Sequence, residues 1–122
     1  GEFDNCYYAA AHYYLPVRDF EGFFRATRTG VLQEGSNAAA WNSIARLYAQ
    51  AAVQLEPEDL EEFLDGVVAY RDLLEDFNSS GRMEQIVLED ANRLFLDTAA
   101  TLAENGADGE AAAALLNTLF GE

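Results

Sequence analysis

The sequence predicts an all-α fold: a single-domain bundle or helical array of about six helices, with a central antiparallel hairpin formed by the two longest. Three observations predict it. Apolar residues recur three and four positions apart along most of the chain, strand-like alternation is nowhere sustained, and the 2 Pro and 9 Gly fall mostly where helices would stop. With 122 residues, 50% of them apolar, the chain can build one core and needs no disulfide or metal to hold it. Short connections force consecutive helices to pack antiparallel or at steep angles.

The first helix is expected over Asn5 to Leu15, capped by Asp4 or Asn5 and stopped by Pro16, because the residue before a Pro is pushed out of the helical region. Gly1-Glu2-Phe3 reads as a cloning scar, which places the all-helical domain over residues 4–122. Val17 to Thr29 forms a second, amphipathic helix with Pro16 in its first turn. Val17, Phe20, Phe23, Phe24 and Thr27 share one side, Arg18, Arg25 and Arg28 another, and Gly30 ends it. Val31 to Gly35 reads as a loop. Ser36 or Asn37 then caps a third helix in which Trp41, Ile44, Tyr48, Ala52 and Leu55 recur on one face.

Pro57 opens a fourth helix from its first turn, and Leu60, Phe63, Leu64, Val67, Tyr70, Leu74 and Phe77 trace its apolar stripe. Asn78-Ser79-Ser80-Gly81 turns the chain into the longest helix, Arg82 to Asn105, with Met83, Ile86, Val87, Ala91, Leu94, Phe95, Thr98 and Leu102 inward. A sixth helix from about Gly109 to Phe120, capped by Asp108, buries Leu115, Leu116, Leu119 and Phe120. Trp41-x-x-Ile44-Ala45-x-x-Tyr48 matches half of a tetratricopeptide unit. Its only echo, at Phe95, lies 54 positions on instead of roughly 34, so the match reads as generic helix packing.

Charge is the most unusual property. The chain carries 22 acidic residues against 7 basic ones, for a net charge of -15, and every basic residue is Arg. Without Lys there is no Schiff base, P-loop lysine or lysine general base. The negative field opposes direct contact with nucleic acid or an anionic membrane and favours a protein partner with a basic surface. A salt-adapted or GC-rich genome would produce the same bias, and would spread it evenly.

The excess is instead concentrated in the fourth helix. Between Glu56 and Phe77 stand nine acids (Glu56, Glu58, Asp59, Glu61, Glu62, Asp65, Asp72, Glu75, Asp76) and one Arg. Pairs four apart, such as Glu58 with Glu62, Glu61 with Asp65 and Asp72 with Asp76, repel by a few tenths of a kcal/mol each. A cationic partner would relieve that cost, as would Arg25 and Arg28 from within the molecule. A second concentration is Tyr7, Tyr8, Tyr13 and Tyr14, four of the 6 Tyr in eight residues. At helical spacing Tyr7 and Tyr14 share a face, Tyr8 and His12 form another, and Tyr13 stands off both. Some of these rings are therefore expected to reach solvent, a partner or a second copy of the chain.

Catalytic chemistry has little to stand on. His12 is the only imidazole and Cys6 lies on another side of its helix, so no Cys-His pair forms locally. Carboxylate-bridged di-metal sites need Glu-x-x-His motifs, and Ala9 precedes His12 by three. Zinc lacks ligands and no glycine-rich phosphate loop appears. Asp76-x-Asn78-x-Ser80-Gly81 matches the first half of an EF-hand loop, but Val87 replaces the bidentate Glu, so the segment reads as a turn. Asn78-Ser79-Ser80 also satisfies a glycosylation sequon.

The lone Cys, the lack of a membrane-length apolar run and the lack of an intact signal peptide point to a soluble, cytoplasmic protein, the alternative being a secreted or translocated one whose leader has been removed. The expected function is a non-catalytic protein-binding domain without cofactor or metal. Glu58, Asp59, Glu61, Glu62, Asp65, Asp72, Glu75 and Asp76, aided by the four Tyr, would dock on a basic partner, as inhibitors, immunity or antitoxin factors and nucleic-acid mimics do. The alternative is a structural or adaptor subunit that associates through Tyr-rich and apolar surface.

Overall fold

The computed structural model describes residues 1–121, for Ala107 and Asp108 the backbone alone. Six helices follow one another: α1 Glu2–Ala9, α2 Phe20–Gln33, α3 Ala38–Gln54, α4 Pro57–Ser79, α5 Gln85–Ala103 and α6 Ala107–Phe120. No strand occurs among the described residues. The two longest helices, α4 with 23 residues and α5 with 19, are consecutive. The most extensive packing is of α5 on α6 and on α3, and of α1 on α2, while α4 touches α2, α3, α5 and α6.

The first helix begins earlier than Asn5. Asp4 accepts from the Gly1 ammonium at 3.5 Å, and Phe3 packs against the core, so the opening residues are helical. At its other end α1 widens into a single π turn, Ala10–Tyr14, in which the Leu15 amide donates to the Ala10 carbonyl at 3.0 Å. Pro16, Val17 and Arg18 then reverse the chain, with Arg18 at φ 60, and Asp19 caps α2 by accepting from the Gly22 amide at 2.9 Å. The second helix therefore starts at Phe20 rather than Val17, and Val17 is 64% exposed instead of inward.

Nor does Gly30 end α2. It sits buried within the helix where α1 crosses: a Cβ there would stand 3.2 Å from the Cys6 Cβ and 3.3 Å from the Phe3 ring. The segment expected as a loop from Val31 is helical to Gln33, because Val31 has a place in the core. Asn37 caps α3 by accepting from the Ala39 amide at 3.1 Å, and Pro57 occupies the first turn of α4.

Two further boundaries shift. The helix expected from Arg82 begins at Gln85, which makes α4 the longest. Arg82 stacks on Phe77 at 4.0 Å and donates to Ser80 Oγ at 2.8 Å, Asn78 donates to the Met83 carbonyl at 3.3 Å, and Gly81 takes φ 77. These contacts hold residues 80–84 in a non-helical link that still buries Met83, while Ile86 turns out to solvent. The last helix starts at Ala107, after Gly106 at φ 102; the expected Asp108 cap lies outside the described side chains. Leu116 and Phe120 are buried, whereas Leu115 is exposed at the seam.

All seven residues of the α4 stripe are buried. They join an aromatic chain across α2, α3 and α4. Phe63 lies 5.5 Å from Phe23, Phe23 lies 5.4 Å from Tyr48, Tyr48 lies 4.9 Å from Tyr70, and Trp41 lies 5.8 Å from Tyr70 and 4.8 Å from Phe77. Its polar atoms are satisfied internally, as burial requires. The Tyr48 hydroxyl and Thr27 Oγ1 are 2.6 Å apart, Tyr70 donates to the Trp41 carbonyl, and Trp41 Nε1 donates to the Gly35 carbonyl at 2.8 Å.

Burial pushes both phenols well above the ordinary tyrosine range, with Thr27 and Arg28 opposing the shift at Tyr48. Each stays protonated in the folded chain where the unfolded chain would release the proton. Their stabilisation is complete below about pH 10 and falls by about 1.4 kcal/mol per pH unit per phenol above it. Alkaline titration is therefore expected to unfold the protein cooperatively, with helical circular dichroism lost as tyrosinate absorbance rises. Tyr48→Phe, which leaves Thr27 its bond to the Phe24 carbonyl, should move that loss to higher pH; an unchanged midpoint would show that Tyr48 does not contribute.

Gly109 explains how closely α6 docks on α5, since a Cβ there would overlap the Leu102 carbonyl oxygen. An ordinary helical Gly→Ala change stabilises by up to about 1 kcal/mol. Gly109→Ala should instead destabilise by about 1–3 kcal/mol in urea unfolding, through overpacking against backbone.

Candidate functional site

With its apolar stripe locked inward, α4 turns its opposite face to water. Glu58, Glu62, Asp65, Asp72 and Asp76, with Ala69 between them, follow spacings of 4, 3, 4, 3 and 4, which keeps them in a nearly straight row. The row spans about 27 Å of helix axis. All five carboxylates are exposed, as is Glu61 beside them.

The eight candidate acids divide into two groups. Asp59 is half-buried and accepts from Arg18 Nε at 2.6 Å, so it pins the α1–α2 turn to the start of α4. Glu75 accepts an ion pair from Arg71 at 2.9 Å, and Arg71 also lies 5.9 Å from the centre of the Phe120 ring, at the seam with α6. Asp72 is within 3.7 Å of that same Arg71. Glu58, Glu61, Glu62, Asp65 and Asp76 make no ion pair among the described residues. Arg25 and Arg28, expected as internal neutralisers, pair with none of the α4 acids among the described residues.

The four tyrosines split by face. Tyr7 and Tyr14 pack against the core, with the Tyr14 ring seated over Gly22, while Tyr8 is 68% and Tyr13 63% exposed. Tyr8 lies against His12 at 4.7 Å between ring centres, and Tyr13 meets the Tyr14 ring edge-on at 5.0 Å. Since α1 packs on α2, the acidic row and the tyrosines are carried by different elements, with the Arg18–Asp59 ion pair linking the turn after α1 to the start of α4.

Burial, followed by the Glu2 charge, pushes the Cys6 thiol up, the reverse of what a nucleophile needs. Among the described residues no three His, Cys, Asp or Glu side chains converge on a metal position. Asp76 and Asn78 of the EF-hand-like segment lie within the last turn of α4. There the Asp76 carbonyl accepts from the Ser80 amide, and Asn78 is committed to Met83.

One feature escaped sequence reasoning. Between α2 and α4 opens a groove of about 220 Å³, lined by Phe24, Arg25, Arg28, Tyr48, Gly66, Ala69, Tyr70 and Leu73. Gly66 lets the two helices approach at this wall: a Cβ there would overlap the end of the Phe24 ring, which takes that space against α4. Two small residues, Gly66 and Ala69, beside the stripe were the available signal.

The unpaired row also makes a stability prediction. Glu62 stands four residues from Glu58 and three from both Asp59 and Asp65, so Glu62→Lys turns three repulsions into attractions, the one with Asp59 already offset by Arg18. Unfolding stability should rise by a few tenths of a kcal/mol per pair at low salt, and the gain should vanish in molar salt. A gain that persists at high salt would mean that Glu62 is strained by packing rather than by charge. Comparison with protein-family models, with characterised proteins and with solved structures finds no match to this chain, so a functional reading rests on this geometry.

Proposed function

We propose that the protein is a non-catalytic binding domain that docks the outer face of α4 onto a basic protein surface, in the manner of an inhibitor, an immunity or antitoxin factor, or a nucleic-acid mimic. The observation that carries this reading is the row Glu58, Glu62, Asp65, Asp72 and Asp76, exposed along one side of a single rigid helix and left largely without internal cations. A row of carboxylates on a helix offers a basic partner what a phosphate backbone offers: regularly spaced negative charge whose counterions are released on contact. It also steers the encounter, since like charges gathered on one face produce a directed field.

A second reading, an adaptor subunit that associates through apolar surface, is favoured by Tyr8, Tyr13 and Val17, three exposed large side chains clustered in sequence at the end of α1 and the turn after it. The two readings differ in salt response. Docking through α4 weakens as ionic strength rises, whereas docking through the tyrosines survives it.

The deciding experiment compares two triple variants of equal net charge in partner capture at low and high salt. Replacing Glu61, Glu62 and Asp65 by Arg should abolish capture while helical circular dichroism is retained. Replacing the exposed Glu2, Glu89 and Glu104 by Arg should leave capture near the wild-type level. Equal loss in both variants would mean that overall charge and not the α4 face is recognised. Capture that survives the first variant, but not truncation of Tyr8 and Tyr13 to Ala, would favour the adaptor reading.

A further inference from the structure

We infer that the groove between α2 and α4 seats an apolar anchor from a mixed-charge amphipathic helix of the partner, with the partner's cations on the α4 acids and a partner carboxylate on Arg25 and Arg28. This rests on the proposed docking through α4 and specifies what the partner presents there.

The floor of the groove sets the anchor's chemistry. Phe24 and Leu73 are apolar, and the hydroxyls of Tyr48 and Tyr70 are already bound to Thr27 and to the Trp41 carbonyl. A polar occupant would therefore find no free partner at the bottom, and a volume of about 220 Å³ suits one or two aliphatic side chains. Gly66, Ala69, Tyr70 and Leu73 fall at i, i+3, i+4 and i+7, so the opening runs along two turns of α4, as a helix laid alongside requires.

The walls carry opposite charge. Glu62, Asp65, Asp72 and Asp76 each stand three or four residues from a groove-lining position of α4, on its solvent side. Across the opening, Arg25 and Arg28 are exposed and make no ion pair among the described residues, in a chain with 22 acids to 7 Arg. A purely anionic ligand is repelled by a net charge of -15, and a purely cationic one meets two guanidinium groups at the rim. A ligand with both signs, divided by an apolar stripe, satisfies both walls.

The test uses a pair of lactam-stapled helical peptides bearing two Leu anchors, Arg along one flank and a single Glu along the other, the twin having that Glu replaced by Gln. Their binding to the intact protein is read by fluorescence anisotropy at low salt. The twin has one more net positive charge, so attraction by the acidic field alone makes it bind more tightly, whereas the groove makes it bind roughly three- to tenfold more weakly. In the proposed geometry Arg25→Gln with Arg28→Gln erases the preference, and Ala69→Leu, which fills the groove, weakens both peptides. Equal or tighter binding of the Gln twin to the wild type would overturn the groove while leaving the acidic face intact. Failure of both peptides to bind, or no loss on replacing Glu61, Glu62 and Asp65 by Arg, would overturn the docking reading together with the groove.

Discussion

The rotation of α4 about its own axis is the constraint on which the rest of the molecule depends. Phe63, Tyr70 and Phe77 interleave with Phe23, Tyr48 and Trp41, and the Tyr70 hydroxyl grips the backbone of α3. Aromatic rings have few rotamers and large buried areas, so a chain of them resists rotation far more than an aliphatic seam would. Turning α4 by one residue, about 100°, would bury carboxylates and expose rings. The exposure of the acidic row is thus a consequence of core packing, and the row inherits the rigidity of the core beneath it.

Within that frame the arginines are placed selectively. Arg18 and Arg71 each hold an acid at a flank of α4, where Asp59 and Glu75 border a neighbouring element, and neither relieves the row between Glu58 and Asp65. Surface pairs of this kind contribute little energy, but they fix position: Asp59 holds the turn whose Arg18 sits in the left-handed region, and Glu75 holds Arg71 near Phe120. The remaining repulsion, a few tenths of a kcal/mol per pair, is small beside the burial of seven large side chains on the same helix. The fold tolerates an uncompensated face because the face behind it is so well compensated.

How much of this was legible in the sequence follows from where the determining contacts lie. The α4 stripe and the Pro57 start are written locally, in spacing and in single residues, and the structure has them as read, while of the two caps offered for α3, Ser36 and Asn37, it uses Asn37. Gly30 misled because its reason is a contact with Cys6 and Phe3, residues more than twenty positions away. Arg82 misled because stacking on Phe77 outweighed a good helix former, and no propensity reports such a contact. The acids of the candidate face were legible by count, but their division into paired and free was not, since Arg18 reaches Asp59 across 41 positions. The groove was invisible for the same reason: Phe24 and Gly66 meet only in three dimensions.

An acidic bias imposed by genome or salt would act on every solvent-facing position alike. The contrast between α3 and α4 argues against so uniform a cause. The 17 residues of α3 include no acid, and its exposed positions are Ala39, Arg46, Gln50 and Gln54. The 23 residues of α4 include eight acids, and its exposed row is almost entirely carboxylate. Gln would serve solubility on α4 as it does on α3, without the mutual repulsion of neighbouring charges. Thus α4 accepts that repulsion along one straight edge, while α3 carries no acid and shows solvent a single charge, that of Arg46.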